Sequence, residues 1–263
     1  MKLSAQENLA PGTSLRAKVE ALQEAGYDGI ELNGNDSLGG RLKEVKDELS
    51  TSRIRVSTIC GGLQHNLLSP DPKERSKTVE EYLERLRWSA ELGAVGFIMV
   101  PGFGPPRLPD LTPISATVAE LEEKLVVEEL KLIAKRAKDY GAFLLLEPLN
   151  RYETHFLKTV GFARRLIEEA SSDNIRMMAD FFHMNIEEAD VADSVLKNLE
   201  YIKHFHAADS NRLNPGRGHS DFGVLKEVEG RGFSGYVALE CSFSGDRREE
   251  LAFTAKYLRK QAE

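Results

Sequence analysis

The 263-residue sequence has only two cysteines, Cys60 and Cys241, and they form no CxxC pair. A disulfide framework needs more cysteines than this, so a reducing compartment is expected. No apolar run approaches the ~18 residues of a membrane span, and the N-terminus lacks the apolar stretch of a signal peptide. We therefore expect a cytoplasmic protein that has no membrane partner.

Positive charge is also scarce, because 35 Lys and Arg residues stand against 42 Asp and Glu residues and give a net charge of −7. Duplex-binding proteins need basic surfaces, so no nucleic-acid partner is expected. No GxGxxG follows an early strand pattern, and neither GxxxxGK[ST] nor the GxSxG elbow occurs. These absences argue against a nucleotide-binding open sheet and against hydrolysis by a serine nucleophile.

The chain does contain a repeated alternation of helical patterns, glycines and short apolar runs. Gly26, Gly93, Gly141 and Gly232 each separate such a helix from such a run, as glycine does at helix ends. Eight strands are predicted near residues 2–5, 28–32, 54–60, 96–100, 142–147, 175–180, 201–206 and 235–240. Eight alternating units in a chain of this length predict one (β/α)8 TIM barrel domain over residues 1–263, with a doubly wound open sheet as the alternative.

Four consecutive predicted strands end on side chains that can bind a metal. Strand 5 ends FLLLE at Glu147, strand 6 RMMAD at Asp180, strand 7 KHFH at His206 and strand 8 VALE at Glu240. Strand ends converge in a closed barrel, and three packed carboxylates repel one another unless a cation lies among them. The pattern therefore predicts a divalent metal site, and carboxylates with one imidazole suit Mn²⁺, Mg²⁺, Co²⁺ or Zn²⁺.

A second group of polar side chains lies in the loops just after these strands. Glu153 follows strand 5, His183 follows strand 6 and Arg212 follows strand 7. Their types include the donors that stabilise negative charge on a polarised carbonyl oxygen. His204 alternates with His206 and so points to the same side of strand 7, one layer deeper. Support of the metal site and hydrogen bonding within the core both fit His204.

Other features of these loops have a structural interpretation. Asn185 and Glu188 form an N-x-x-E pattern that predicts the N-terminal cap of the next helix. Residues 101–113 carry five of the ten prolines and predict one long loop. The roles of this loop and of His65 stay open.

The sequence resembles the xylose-isomerase-like TIM barrel family of sugar isomerases and epimerases in four ordered motifs: EPLNRYETHF, DFFHMNIEEAD, HFHAADSNRLNPGRGHSDF and GYVALE. Within that family the resemblance is nearest to the ketose 3-epimerases, which include D-tagatose/D-psicose 3-epimerases and 5-keto-L-gluconate epimerase. It covers essentially the whole chain and is sharpest from residue 142 onward.

The resemblance implies roles for seven residues of these motifs. The implied ligands of a divalent metal ion, foremost Mn²⁺, are Glu147, Asp180, His206 and Glu240. Two of these, Glu147 and Glu240, are also the implied catalytic acid/base pair. The implied substrate-binding residues are Glu153, His183 and Arg212. A small sugar substrate and a dimeric or tetrameric homo-oligomer are implied as well.

The implied reaction is metal-dependent epimerisation of a ketose or keto sugar acid at C3, the carbon beside the ketone, through an enediolate. An aldose–ketose isomerase of the hydroxypyruvate isomerase type is the main alternative, because the same residues can move a proton between C1 and C2. A lyase or dehydratase acting on a related sugar acid also fits.

Two classes outside sugar chemistry are disfavoured. A DNA-repair endonuclease that shares this barrel needs a histidine-rich cluster of three zinc ions, and Val100 stands where that family would place a histidine ligand. A non-catalytic binding protein on the same barrel usually loses an acid/base or metal residue. None of the implied residues is missing from this sequence.

Overall fold

The strands form one closed parallel barrel, in which each strand pairs with the next along the chain and β8 pairs with β1. The computed structural model describes residues 1–63 and 65–263. The strands are β1 (Lys2–Gln6), β2 (Gly29–Asn33), β3 (Arg55–Cys60), β4 (Gly96–Met99), β5 (Phe143–Leu146), β6 (Ile175–Asp180), β7 (Ile202–Ala207) and β8 (Tyr236–Leu239). The predicted (β/α)8 TIM barrel is confirmed, and the alternative of a doubly wound open sheet is wrong.

Helices connect successive strands and surround the barrel, with two of them between β6 and β7. They are α1 (Leu15–Glu24), α2 (Asp36–Ser50), α3 (Pro72–Leu92), α4 (Val118–Arg136), α5 (Val160–Ala170), α6 (Phe181–Glu187), α7 (Val191–Asn198), α8 (Val224–Gly230) and α9 (Arg247–Ala262). Among the residues that the structure describes, no helix is both long and apolar enough to cross a membrane.

The two longest helices begin and end at residues suited to those positions. α3 begins after the capping side chain of Asp71, has Pro72 in its first turn and ends at Gly93, whose φ of 67° is left-handed. α4 begins with a capping box, in which Thr117 and Glu120 accept hydrogen bonds from each other's backbone N–H groups. Local sequence therefore fixes where these helices start and stop.

Two of the four strands that are predicted to end on a metal ligand stop one residue earlier than predicted. β5 ends at Leu146 and β8 at Leu239, so the glutamates that follow them begin the loops over the barrel. The backbone N–H of Glu147 still donates to the carbonyl of Met99 at 2.9 Å. Pro148 has no N–H with which to continue, so the strand stops there.

The predicted helix cap at Asn185 is wrong. Asn185 lies inside α6, and α7 is capped by the side chain of Asp190. Glu188 instead accepts hydrogen bonds from the backbone N–H of Val160 and the hydroxyl of Ser194, both at 2.8 Å. Glu188 therefore forms a tertiary contact with α5 and not the cap that the local pattern predicts.

The interior of the barrel is divided into an apolar and a polar half. Ile98, Leu145 and Met178 form a buried apolar cluster, separate from the larger core between strands and helices. Near β1 and β3 the interior is polar, and the hydroxyls of Ser4 and Ser57 lie 2.7 Å apart. Because every second side chain of a strand points into the barrel, the interior side chains lead along each strand to the residues at its C-terminal end.

Candidate metal centre and active site

Four side chains at the C-terminal end of the barrel converge on one point. One potential ligand atom from each of Glu147, Asp180, His206 and Glu240 lies within 4.8 Å of the corresponding atoms of the other three. Glu147, Asp180 and His206 are buried, and Glu240 is half-buried. The structure therefore brings together all four residues that the sequence predicts as ligands.

The imidazole of His206 has the orientation that a metal ligand needs. Its Nε2 lies 3.0 Å from Oε2 of Glu31, which fixes a proton on that nitrogen. Its Nδ1 faces Glu147 Oε1 at 3.5 Å and Glu240 Oε2 at 3.4 Å. Within the described part of the chain, this buried Nδ1 has no hydrogen-bond partner. A buried nitrogen lone pair that faces two carboxylates fits a divalent cation, so the donor set suits the metal that the sequence predicts.

The carboxylates of the cluster have unequal electrostatic surroundings. Burial raises the pKa of Glu147, and the nearby charge of Glu240 adds to this, whereas His206 opposes it. Burial also works against the charge of Glu240, but His206 and Arg212 lower its pKa to about 2. Burial likewise disfavours a charged His206, yet Glu31 and Glu240 raise its pKa well above the ordinary value. The cluster therefore needs positive charge, which a proton or a metal ion can supply.

His183 directs a donor nitrogen towards the four converging side chains. Its Nδ1 accepts a hydrogen bond from the backbone N–H of Asn150 at 3.2 Å and lies 2.8 Å from the side-chain nitrogen of Asn150. The proton of a neutral ring is then on Nε2, which lies 3.4 Å from Oδ2 of Asp180. Glu153 joins this group because its Oε1 accepts from the Asn150 amide at 2.8 Å.

Arg212 reaches the cluster from the loop after β7. Its Nη1 donates to Oδ2 of Asp180 at 3.0 Å, and its Nη2 contacts Oε2 of Glu240. The guanidinium carbon lies 4.5 Å from the ring centre of Phe182, so a cation–π contact holds the group in place. Arg212 has a φ of 62°, a left-handed conformation that is uncommon for a residue with a side chain.

A cavity of about 690 Å³ opens above these groups. Glu147 and Glu240 lie on its floor, and Glu153, His183 and Arg212 on its walls. All three residues predicted to bind substrate therefore face the same space as the predicted acid/base pair.

Comparison with known families supports this geometry. The family model described as Xylose isomerase-like TIM barrel matches residues 19–261. The chain belongs to this family. Its membership accounts for the barrel and for the order of the four sequence motifs.

Relatives of this chain include sugar epimerases. The 3-dehydro-D-guloside 4-epimerase of Escherichia coli is 32% identical over 247 residues, which cover 91% of this chain and 92% of the relative. The ketose 3-epimerase of Arthrobacter globiformis is 32% identical over 232 residues, which cover 88% of this chain and 78% of the relative. The crystal structure of an E. coli 3-keto-D-glucoside 4-epimerase superposes with a TM-score of 0.89 at 29% identity and covers 99% of both chains. The protein is accordingly an enzyme of the isomerase class.

Glu31, which no sequence motif singled out, lies in β2 beneath the predicted ligands of this family member. Its Oε2 contacts His206 at 3.0 Å, His204 at 3.1 Å and the hydroxyl of Thr58 at 2.5 Å. Burial opposes the charge of Glu31, but the two histidines hold its pKa well below the ordinary value. The run GIELN carried a signal, since a carboxylate interrupts a buried strand. His204, left open by the sequence, belongs to this supporting layer.

Asp209 was also missed, and it shapes the loop that presents Arg212. Its Oδ1 accepts from the backbone N–H groups of Ser210 and Ser220, both at 2.8 Å, and its Oδ2 accepts from Gly216 at 2.9 Å. Its carbonyl accepts from the N–H of Arg212 at 2.8 Å. Sequence alone does not distinguish this aspartate from a solvated loop residue.

Proposed function

We propose that the protein catalyses divalent-metal-dependent epimerisation of a ketose or keto sugar acid at C3, the carbon beside the ketone. The observation that carries this proposal is that Glu147 and Glu240 line the cavity and that their carboxylates converge with the side chains of Asp180 and His206. Epimerisation needs one group that removes a proton and another that returns it to the opposite face. β5 and β8 are three strands apart in the barrel, so their two glutamates approach a substrate from different sides.

In this proposal the two glutamates divide the proton transfer. One, as a carboxylate, accepts the proton from the carbon beside the ketone, and the electron pair left behind moves onto the carbonyl oxygen to give an enediolate. The other, which carries a proton, donates it to the opposite face of the same carbon and restores the ketone. The first glutamate then carries a proton and the second is a carboxylate, so the pair is ready for the reverse reaction.

Other residues stabilise the charge that develops. Glu147, Asp180, His206 and Glu240 would hold a divalent cation, with Mn²⁺ the first to test, which would supply Lewis-acid stabilisation of the negative charge. The Nε2–H of His183 and the guanidinium of Arg212 are donors placed to bind the oxygen on which negative charge appears. Glu153, half exposed in the cavity wall, is an acceptor for a sugar hydroxyl.

A second candidate is epimerisation at C4 of a 3-keto glycoside. C4 of such a sugar is also beside a ketone, so the same proton transfers apply. The length of the chain favours this candidate, because the chain matches more of the E. coli 4-epimerase than of the A. globiformis ketose 3-epimerase. The alignments cover 92% of the first relative and 78% of the second. The two candidates share the proton transfers but differ in the substrate and in which carbon beside the ketone lies between the two glutamates.

Proton exchange in D₂O, followed by NMR, tests the proposal. EDTA-treated protein is supplied with Mn²⁺ or Mg²⁺ and offered ketohexoses, ketopentoses, keto-aldonates and 3-keto glycosides. Metal-dependent deuterium at C3 of a 2-ketose, with the epimer accumulating, is the expected result. Deuterium at C4 of a 3-keto glycoside selects the second candidate, and deuterium at C1 or C2 with an aldose product selects the isomerase. The proposal is wrong if no sugar exchanges while the metal is bound.

We also infer a single cooperative domain over residues 1–263 that assembles as a dimer or tetramer. The closed barrel supports the first part, and the resemblance to sugar epimerases supports the second. A single calorimetric transition and a sedimentation mass of two or four chains are the expected results.

A further inference from the structure

The cavity extends well beyond the predicted metal ligands. Its volume of about 690 Å³ lies in the upper half of the range of roughly 300–1,000 Å³ that is typical of pockets for drug-sized ligands. A single sugar over Glu147 and Glu240 fills only the inner part. The outer part is lined by the loops after β3 and β4, including Asn66, Phe103 and Arg107.

Phe103 displays its ring on the rim of this outer part. It is 61% exposed, although it lines the cavity. Its loop is held firmly, because the N–H of Gly104 donates to the carbonyl of Glu153 at 2.8 Å and the hydroxyl of Thr154 donates to the carbonyl of Gly102 at 2.7 Å. An exposed aromatic ring on a loop whose backbone is held in place beside a sugar site offers a stacking surface for the apolar face of a pyranose.

The charged groups of the outer part each have a partner within the protein. Arg107 Nη1 lies 3.5 Å from Oε1 of Glu74, whose other oxygen accepts from the hydroxyl of Ser69 at 2.5 Å. His65 contacts Glu81 through Nδ1 in the same way. The positive charge of Arg107 is therefore compensated, which favours a neutral group rich in hydroxyls over a carboxylate or a phosphate.

We propose that the outer part of the cavity, formed by Phe103, Arg107, Glu74 and Asn66, is a subsite for a second, neutral sugar ring. The substrate is then a keto sugar that carries a glycosyl group, with the ring bearing the ketone over the predicted metal ligands. This inference rests on the second candidate under the proposed function, because it takes the ketone of a 3-keto glycoside to lie over Glu147 and Glu240. A pyranoside cannot open its ring to expose an anomeric ketone, so its ketone lies at another ring carbon, as in the second candidate reaction.

Binding to the Mn²⁺-loaded protein tests the subsite. Two probes share the same reacting ring: methyl 3-keto-glucoside and the 3-keto-glucoside of glucose. Isothermal titration is expected to give about tenfold tighter binding of the two-ring probe, equivalent to about 1.4 kcal/mol. Phe103→Ala should reduce this ratio to about one, and Phe103→Tyr should keep it.

Ile114→Ala is the matched control, because Ile114 follows in the same connection before α4 and is 93% exposed but does not line the cavity. It should leave the tenfold ratio unchanged. Equal binding of the two probes by the unmodified protein, or the same ratio in Phe103→Ala, overturns the inference. Deuterium exchange with free ketoses but no binding preference leaves the proposed function intact and removes the subsite. Tighter binding of the two-ring probe without deuterium exchange in any sugar supports the subsite and excludes the proposed reaction.

Discussion

Across the interior of the barrel, Oε2 of Glu31 in β2 lies 3.0 Å from Nε2 of His206 in β7. The contact fixes the tautomer of the imidazole and directs Nδ1 towards Glu147 and Glu240. Metal-binding histidines commonly donate their second N–H to a carboxylate, which orients the ring and raises the basicity of the ligand nitrogen. Glu31 is therefore a positioning residue for the predicted metal centre.

We expect Glu31→Gln to weaken Mn²⁺ binding by about 10- to 100-fold, because His206 loses a charged partner. Isothermal titration of Mn²⁺ into metal-free protein measures the change, and circular dichroism checks that the variant is folded. Glu129→Gln is a matched control, since Glu129 is a buried glutamate on α4. Equal Mn²⁺ affinity in Glu31→Gln and the unmodified protein would show that Glu31 does not position the ligand.

The features that sequence predicted and those it missed differ in how far apart their partners lie. Glycine at helix ends and polar residues at strand ends act locally, so the repeat and the four predicted ligands can be identified from short segments. Glu31 and His206 are 175 residues apart, and their contact exists only once the barrel closes. Asp209 depends on backbone N–H groups of a folded loop, which no residue type reveals.

Local patterns also fail where a tertiary contact outweighs them. The N-x-x-E pattern at Asn185 and Glu188 predicts a cap, yet Asp180 already caps α6 and the chain stays helical through Asn185. Glu188 is then free to bind the N-terminal end of α5. The same aspartate that the sequence predicts as a metal ligand thus also begins a helix, which brings His183 to the site.

Glu147→Gln and Glu240→Gln test the acid/base pair. Each change keeps an oxygen that can bind a metal but removes the group that exchanges a proton, so kcat should fall by about 10² to 10⁴. Steady-state epimerisation gives kcat, and titration of Mn²⁺ in the same variants separates loss of proton transfer from loss of metal. A variant that retains both its metal and most of its kcat would exclude that glutamate from the pair.

Asp209→Asn tests the loop that presents Arg212. Asparagine keeps an oxygen that can accept from Ser210 and Ser220, but its NH2 group cannot accept from the N–H of Gly216. A hydrogen bond to a charged group contributes about 1.5–3 kcal/mol, so we expect the free energy of unfolding to fall by about that amount. KM should rise as well, because Arg212 loses its support. Urea denaturation and steady-state kinetics measure the two effects. Asp221→Asn, an exposed change in the same loop, is the control and should alter neither.

Glu129 links stability to pH. Burial raises its pKa to about 7, although Arg75 opposes this, with Nε of Arg75 lying 3.1 Å from Oε1 of Glu129. Within the described part of the chain, the buried Oε2 has no hydrogen-bond partner, which is consistent with a carboxyl that favours its proton. The folded state then binds more protons than the unfolded state between the ordinary pKa of glutamate and about 7, so its stability falls as pH rises through that window.

We therefore expect Glu129→Gln to remove a loss of stability on the order of 2 kcal/mol that the unmodified protein shows between pH 5 and 8. The free energy of unfolding, measured by urea denaturation across this range, should decline less steeply in the variant. Glu128→Gln, an adjacent change at an exposed position, should leave the slope unaltered. Parallel pH profiles for Glu129→Gln and the unmodified protein would mean that the carboxylate stays ionised on α4, with Arg75 compensating fully for its burial.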